Sequence, residues 1–230
     1  ICYFLWSRDD RGDCLVVSHA GGSIKSKQIR PLLEKNSETF IRFNEAVPIL
    51  KKVQSFNELS IEKNVSSRKP FGLETVFKGE NLNFKNSIKL YQNGGVGYVK
   101  ENILTKNIFM IEKYKVFVPR AGSGSDSFPH SILGKPFIGE PGSASTETYI
   151  VVAYFDTFEE ANNFLSYLKT KFFRFLVLLN KPTQDAPRRV YKHVPTQDFS
   201  QSWNDQKLQK KYKLSNEEIS FVNELIREME

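Results

Sequence analysis

The chain has 230 residues, the length of one large domain or two small ones. Lys plus Arg number 33 against 26 Asp plus Glu, a formal net charge of +7, and the 40% apolar share is enough for a core, which excludes a disordered chain. Two cysteines exclude a disulfide framework and a four-thiolate zinc site, and the longest apolar run, 172–179, is broken by Arg174 and falls far short of the ~20 residues of a membrane span.

Residues 1–18 read as a hairpin: an aromatic and aliphatic strand over 1–6, a polar turn ending in Gly12, and a return through Leu15, Val16 and Val17. Gly21-Gly22-Ser23 breaks the pattern. Asn44 is placed to cap a helix whose apolar positions Ile49, Leu50, Val53 and Phe56 fall at helical spacing, with Lys51 and Lys52 on its wet side. Residues 57–87 are polar and mostly irregular. Asn93-Gly94 between two β-prone runs is a strong hairpin signal, because both turn positions favour positive φ. Residues 115–118 read as a strand closed by Pro119, and 120–146 as a long Gly-, Ser- and Pro-rich irregular stretch, the kind that is functional or disordered.

Residues 148–155 are apolar on both alternating faces, as a central strand is. Thr157 with Glu160 makes a capping box, and the apolar stripe 161, 164, 165, 168, 172, 175, 176, 179 predicts one long amphipathic helix over 158–179, with Lys169, Lys171 and Arg174 off the stripe. Pro182, Pro187 and Pro195 keep 181–205 largely extended, and its two Pro-Thr-Gln-Asp tetrapeptides are too short a match for a repeat. Ser215 with Glu218 opens a last helix whose buried face is Ile219, Val222, Leu225 and Ile226. The expected fold class is α/β, mixed α+β: a sheet with hairpins packed against the long helix, followed by a C-terminal helix.

Few motifs carry catalytic chemistry. His19, His130 and His193 lack the partners of a zinc site, and each reads as a surface or locally bonded histidine. Gly95-Val96-Gly97-Tyr98 is not a dinucleotide fingerprint, Gly122-Ser123-Gly124-Ser125 lacks the Lys-Ser/Thr of a phosphate loop, and no GxSxG elbow occurs. A metal-dependent nuclease needs paired carboxylates, and the nearest spacing, Glu140 with Glu147, straddles a Gly/Ser loop.

Nucleic-acid chemistry is better represented. A basic balance with a sequence pI near 9.2 suits a polyanion. Three loops collect phosphate- and base-binding groups: Arg68 and Lys69; Arg120, Gly122, Ser123, Gly124, Ser125 and Asp126; and Thr183, Gln184, Asp185, Arg188 and Arg189. Glycines let the backbone approach a phosphate, and hydroxyls donate to it. Asp126 either accepts from a cytosine amine or closes an Asx-turn, and the 183–189 run equally suits compensation of a helix end. Gln92 and Asn93 are further candidate readers, Asn93 being also explained by its turn. Glu140, Ser143 and Thr146 lie in a second loop able to meet DNA. Trp203 reads as a packing anchor.

In order along the chain, Cys2-Tyr3-Phe4-Leu5-Trp6-Ser7-Arg8-Asp9, Ser67-Arg68-Lys69-Pro70-Phe71-Gly72-Leu73, Gln92-Asn93-Gly94-Gly95-Val96-Gly97-Tyr98, Ala121-Gly122-Ser123-Gly124-Ser125-Asp126, Lys169-Thr170-Lys171-Phe172-Phe173-Arg174-Phe175-Leu176 and the tail from Trp203-Asn204-Asp205 to Ile219 resemble one family. It is the bacterial type II restriction–modification adenine-N6 DNA methyltransferases with a C-terminal target recognition domain. The resemblance implies a division of labour. Such enzymes carry an S-adenosylmethionine loop and an Asn/Asp-Pro-Pro-Tyr/Phe motif in a methyltransferase core, and neither occurs here, since every Pro is isolated. No catalytic residue carries over.

By this resemblance residues 1–18 are the last hairpin of the core and 19–230 a recognition domain that selects duplex DNA and helps hold a flipped adenine. The expected partners are double-stranded DNA and the methyltransferase core of the same polypeptide, with no membrane. S-adenosylmethionine is implied for the parent enzyme and no cofactor for this piece. Ile1 in place of a start methionine, with no basic leader, reads as a fragment or processed piece in a reducing cytoplasm, Cys2 and Cys14 being free thiols. The alternatives are a subunit-assembly module docking through the 158–179 helix and a metal-dependent nuclease.

Overall fold

The computed structural model describes residues 4–9, 11–122 and 128–229. Among them the chain is mixed α+β, with three small sheets and five α-helices. The first sheet is a two-stranded ribbon. β1 (Cys14–Ala20) pairs antiparallel with β2 (Ser23–Arg30) across Gly21 and Gly22, whose φ angles of 57° and 76° match the turn that twisted strands require. The hairpin expected over 1–18 is therefore displaced: β1 pairs forward across the two glycines, and residues 4–7 form no strand. β1 also spans position 18–19, the boundary that the resemblance implies.

Asn44 is not the cap of α1 (Ala46–Ser55); Glu45 holds that position without a side-chain bond. Asn44 is instead buried, accepting from Arg30 Nε at 2.9 Å and donating from Nδ2 to Val16 O at 3.1 Å and Ser26 Oγ at 3.0 Å. It ties the ribbon to the body.

Two further sheets share the interior. β3 (Ile88–Gln92) and β4 (Gly95–Val99) form the expected hairpin, joined on the other side of β3 by β7 (Ser143–Ser145) running parallel. Gly94 and Gly95 hold the positive φ angles, 85° and 137°, so Asn93 is relieved of one. The third sheet has the order β6–β5–β8, with β5 (Tyr114–Pro119) between β6 (Phe137–Gly139) and β8 (Tyr149–Phe155). Its alternation separates two cores. Val116, Val118, Ile150 and Val152 face the larger core with the helices, whereas Phe117 and Val151 face a smaller one with Phe71, Leu90, Leu104 and Ile111. β8 is buried on both faces as expected, yet it flanks the sheet. Ser66 satisfies part of its free edge, donating its N–H to Val151 O at 2.8 Å and accepting Val151 N at 3.0 Å on Oγ.

The single helix expected over 158–179 is two. α2 (Phe158–Lys169) starts at its Thr157 cap and stops at Thr170, whose backbone turns extended (ψ 151°) and whose Oγ1 caps α3 (Lys171–Leu179) by accepting Phe173 N at 3.1 Å. The Asp205 carboxylate takes the next two free donors, Lys171 N at 3.0 Å and Phe172 N at 2.8 Å. The break also takes Arg174, which lies off the expected apolar stripe, to full burial. Its guanidinium donates to the carbonyls of Thr170, Ser131, Arg227 and Lys169, and burial lowers its pKa to about 10. α4 (Asp205–Lys211) was not foreseen, and α5 (Asn216–Leu225) begins with the Ser215–Glu218 box. Val222, Leu225 and Ile226 of its expected face are buried, while Ile219 stays half-exposed.

Candidate nucleic-acid interface

Strand directions decide what lies together. β5 ends at Pro119 beside the start of β8 at Tyr149, and β7 leads into Thr146 and Glu147 beside the turn of the β3–β4 hairpin. Three chain segments therefore meet at one end of two sheets. Arg120 N donates to Thr148 O at 2.9 Å, Ala186 N to Arg120 O at 2.8 Å and Gly122 N to Gln184 O at 3.2 Å, stitching 120–122 to 184–186. Glu147 N donates to Leu73 O at 2.9 Å, and Arg188 Nε to Val65 O at 2.6 Å, which brings in the 65–73 segment.

Charge links the same segments. The nearly buried Glu147 carboxylate is shared by Arg68, which donates from Nε, and by Arg120, whose Nε lies 3.7 Å away. Arg120 Nη1 also donates to Asp185 Oδ2 at 2.9 Å. A chain Arg68–Glu147–Arg120–Asp185 thus crosses all three segments. Arg68, with a side chain 69% exposed, points its free edge to solvent, and Arg120 is held in place by two carboxylates. Fixed guanidiniums on loops of this kind lose little freedom when they bind a phosphate or a guanine edge.

Next to this chain lies a cleft of about 260 Å³ whose lining includes Gly122, Thr183, Gln184, Lys181, Arg42 and Ile132. Ile132 has φ 68°, a rare conformation for a β-branched residue.

The residues singled out from sequence divide into three groups. Arg68, Lys69, Arg120, Gly122, Thr183, Gln184, Asp185, Arg188 and Arg189 lie on the converging segments; Lys69 pairs with Glu74 at 2.5 Å, and Arg188 Nη2 donates to Lys63 O at 3.1 Å. Asn93 is exposed at the hairpin turn near them. Gln92, Ser143 and Thr146 are corrected. All three are buried and bonded inward: Gln92 Oε1 accepts Gly79 N at 2.8 Å, Ser143 Oγ donates to Glu140 O, and Thr146 Oγ1 donates to Thr148 Oγ1 at 3.0 Å. Strand pairing turned them inside. Ser123, Gly124, Ser125 and Asp126 lie outside the described residues, as does Cys2.

Sequence reasoning missed the linking part of Glu147, an isolated acid in a Ser/Thr-rich run, and it missed Lys78, which donates to Asn93 O. Trp203 packs on the larger core and donates Nε1 to Asp198 O at 2.8 Å, an anchor as expected. Among the described residues no group of three His, Cys, Asp or Glu is disposed to hold a metal ion, and no helix is long and apolar enough to cross a membrane. Comparison with protein-family models, with curated proteins and with solved structures finds no match.

Proposed function

We propose that this chain recognises duplex DNA, as the target recognition domain of a bacterial restriction–modification adenine-N6 methyltransferase. The observation that carries the reading is the convergence of three segments rich in phosphate- and base-binding groups, joined by Arg68–Glu147–Arg120–Asp185. Arg68 and Arg188 supply phosphate contacts, and Gln184 and Thr183 supply exposed polar groups for base edges. The chain holds neither an S-adenosylmethionine loop nor a Pro-Pro-Tyr motif, so in this reading methyl transfer falls to another segment. In this reading the protein works in the cytoplasm.

The same reading needs a surface for the catalytic core, and the β1–β2 ribbon supports one. Its outer face presents Leu15 (62% exposed) paired across from Ile29 (72%), with Trp6 nearby in sequence and also exposed. An isolated two-stranded ribbon is marginal in water and gains from a covering partner. The assembly alternative is better served by this ribbon than by the 158–179 region, because α3 is buried from Phe172 to Leu179.

The test is titration with duplex DNA at low and high salt. Binding is expected to weaken steeply, with a slope of ~0.9 per phosphate neutralised, and Arg68→Ala is expected to flatten that slope by about one such unit. Absent binding, or binding indifferent to salt, contradicts the proposal.

A further inference from the structure

All but one unit of the positive excess falls in one stretch of the chain. Residues 63–115 hold ten Lys and Arg against four Asp and Glu. Residues 1–62 hold nine against eight, and residues 116–230 fourteen against fourteen. The basic stretch supplies Phe71, Leu90, Leu104 and Ile111 to the smaller core, where Phe117, Ala144 and Val151 join them, so it packs around the β3–β4 hairpin. Its lysines 78, 85, 89, 100 and 106 form no ion pair among the described residues. Lys78 meets only the Asn93 carbonyl, and Lys89 lies over the Tyr91 ring at 5.3 Å, so their charge is not neutralised.

The hairpin is built as a stiff finger. Residue 80 runs beside β4, with Glu80 N donating to Tyr98 O at 2.8 Å and Tyr98 N to Glu80 O at 2.9 Å. Gly79 permits this approach, since a Cβ there would stand 2.8 Å from Tyr98 backbone atoms. Gln92 pegs the strap from inside by accepting Gly79 N. The parallel pairing of β7 with β3 sets the tip, with Asn93, Gly94 and Lys78, at the end where Thr146 N donates to Tyr91 O at 2.9 Å and Glu147 follows. The tip thus stands at the same end as the Arg68–Glu147–Arg120 chain.

We propose that this finger, residues 78–100, is a second DNA-contacting element that grips the phosphates of one strand. It rests on the reading that duplex DNA is the partner, and it assigns the main sequence-independent grip to lysines outside the three converging loops. Lys78 stands at the tip beside those loops, Lys100 follows the Ile88–Val99 pair at the open end of the hairpin, and the exposed Lys85 lies three residues before Ile88. A five-residue strand spans ~17 Å, the axial reach of about five phosphates of one strand. Lys89, within the strand, covers the interval between the two ends.

The test replaces Lys78, Lys85, Lys89 and Lys100 together by Gln, and compares that variant with Lys25→Gln/Lys27→Gln/Lys207→Gln/Lys210→Gln, which removes the same charge from exposed positions elsewhere. Circular dichroism checks the fold of both. The finger variant is expected to bind duplex DNA about tenfold or more weakly at ~0.1 M salt, with a salt slope shallower by ~2 to 4, and the control to stay within about threefold of the parent. Equal losses in the two variants overturn the finger and leave only net charge. An unchanged finger variant, with Arg68→Ala still weakened, overturns the finger and keeps DNA as the partner. No binding by the parent chain overturns the DNA reading and the finger with it.

Discussion

Tyr191 is fully buried, and its hydroxyl has no hydrogen-bond partner among the described residues. Burial without an acceptor raises its pKa and costs stability, because the water lost on folding is not replaced. Tyr191→Phe is expected to raise stability by about 1 kcal/mol in urea unfolding, and a loss of similar size would show that the hydroxyl is bonded. His193 makes a different prediction. Burial, with Lys192 beside it, lowers its pKa from 6.5 to about 4. The unfolded chain therefore binds a proton that the folded chain refuses, and stability falls as pH drops from 6.5 toward 4. The loss is on the order of 3 kcal/mol, and His193→Gln is expected to remove it, read as a flatter stability–pH curve over that interval.

Single residues were the least legible part of the sequence. Gln92 has the chemistry of a base reader, yet strand alternation turned it onto a glycine backbone. Arg174 fell off an apolar stripe that assumed an unbroken helix. The carbonyls of Ser131 and Arg227 that receive it come from 43 and 53 positions away, beyond any local pattern.

At the scale of elements, signals confined to a few residues were read well. Asn93-Gly94 gave the hairpin, and Ser215 with Glu218 gave the start of α5, because turn and cap chemistry is local. The break between α2 and α3 is capped by Thr170 and completed by Asp205, 34 residues beyond Lys171. Asp205→Ala is expected to destabilise the protein by about 2 kcal/mol, since it frees two helix donors and removes a carboxylate that favours the buried Arg174 charge. Asp198→Ala, at an exposed turn, is expected to cost no more than about 0.5 kcal/mol. Equal effects from the two would show that the break does not depend on Asp205. The first hairpin was misplaced because the Gly21-Gly22 turn competes with the polar turn ending at Gly12, and pairing decides between them.

The whole molecule is organised by the β5–β8 pair, which divides two cores and delivers its ends to one site. The mixed α+β class was readable from the spacing of apolar residues. The convergence of 65–73, 120–122 and 184–188 was not, since it follows from a parallel β3–β7 pairing between residues more than fifty positions apart. Nine of the seventeen candidate residues still fall on the converging segments, because loop residues with Arg, Thr, Gln and Gly gather where strands end. The charge distribution belongs to this scale too, since only the fold shows that the basic stretch gathers around the smaller core.

The central claim is that this end of the sheets faces duplex DNA. Amide hydrogen exchange with and without a DNA duplex tests it most directly. The account predicts slowed exchange at 66–69, 120–122, 183–189 and the 93–95 turn, with none at the opposite end around Tyr114 and Phe158. Protection centred on that opposite end, or no change anywhere at saturating DNA, would contradict it.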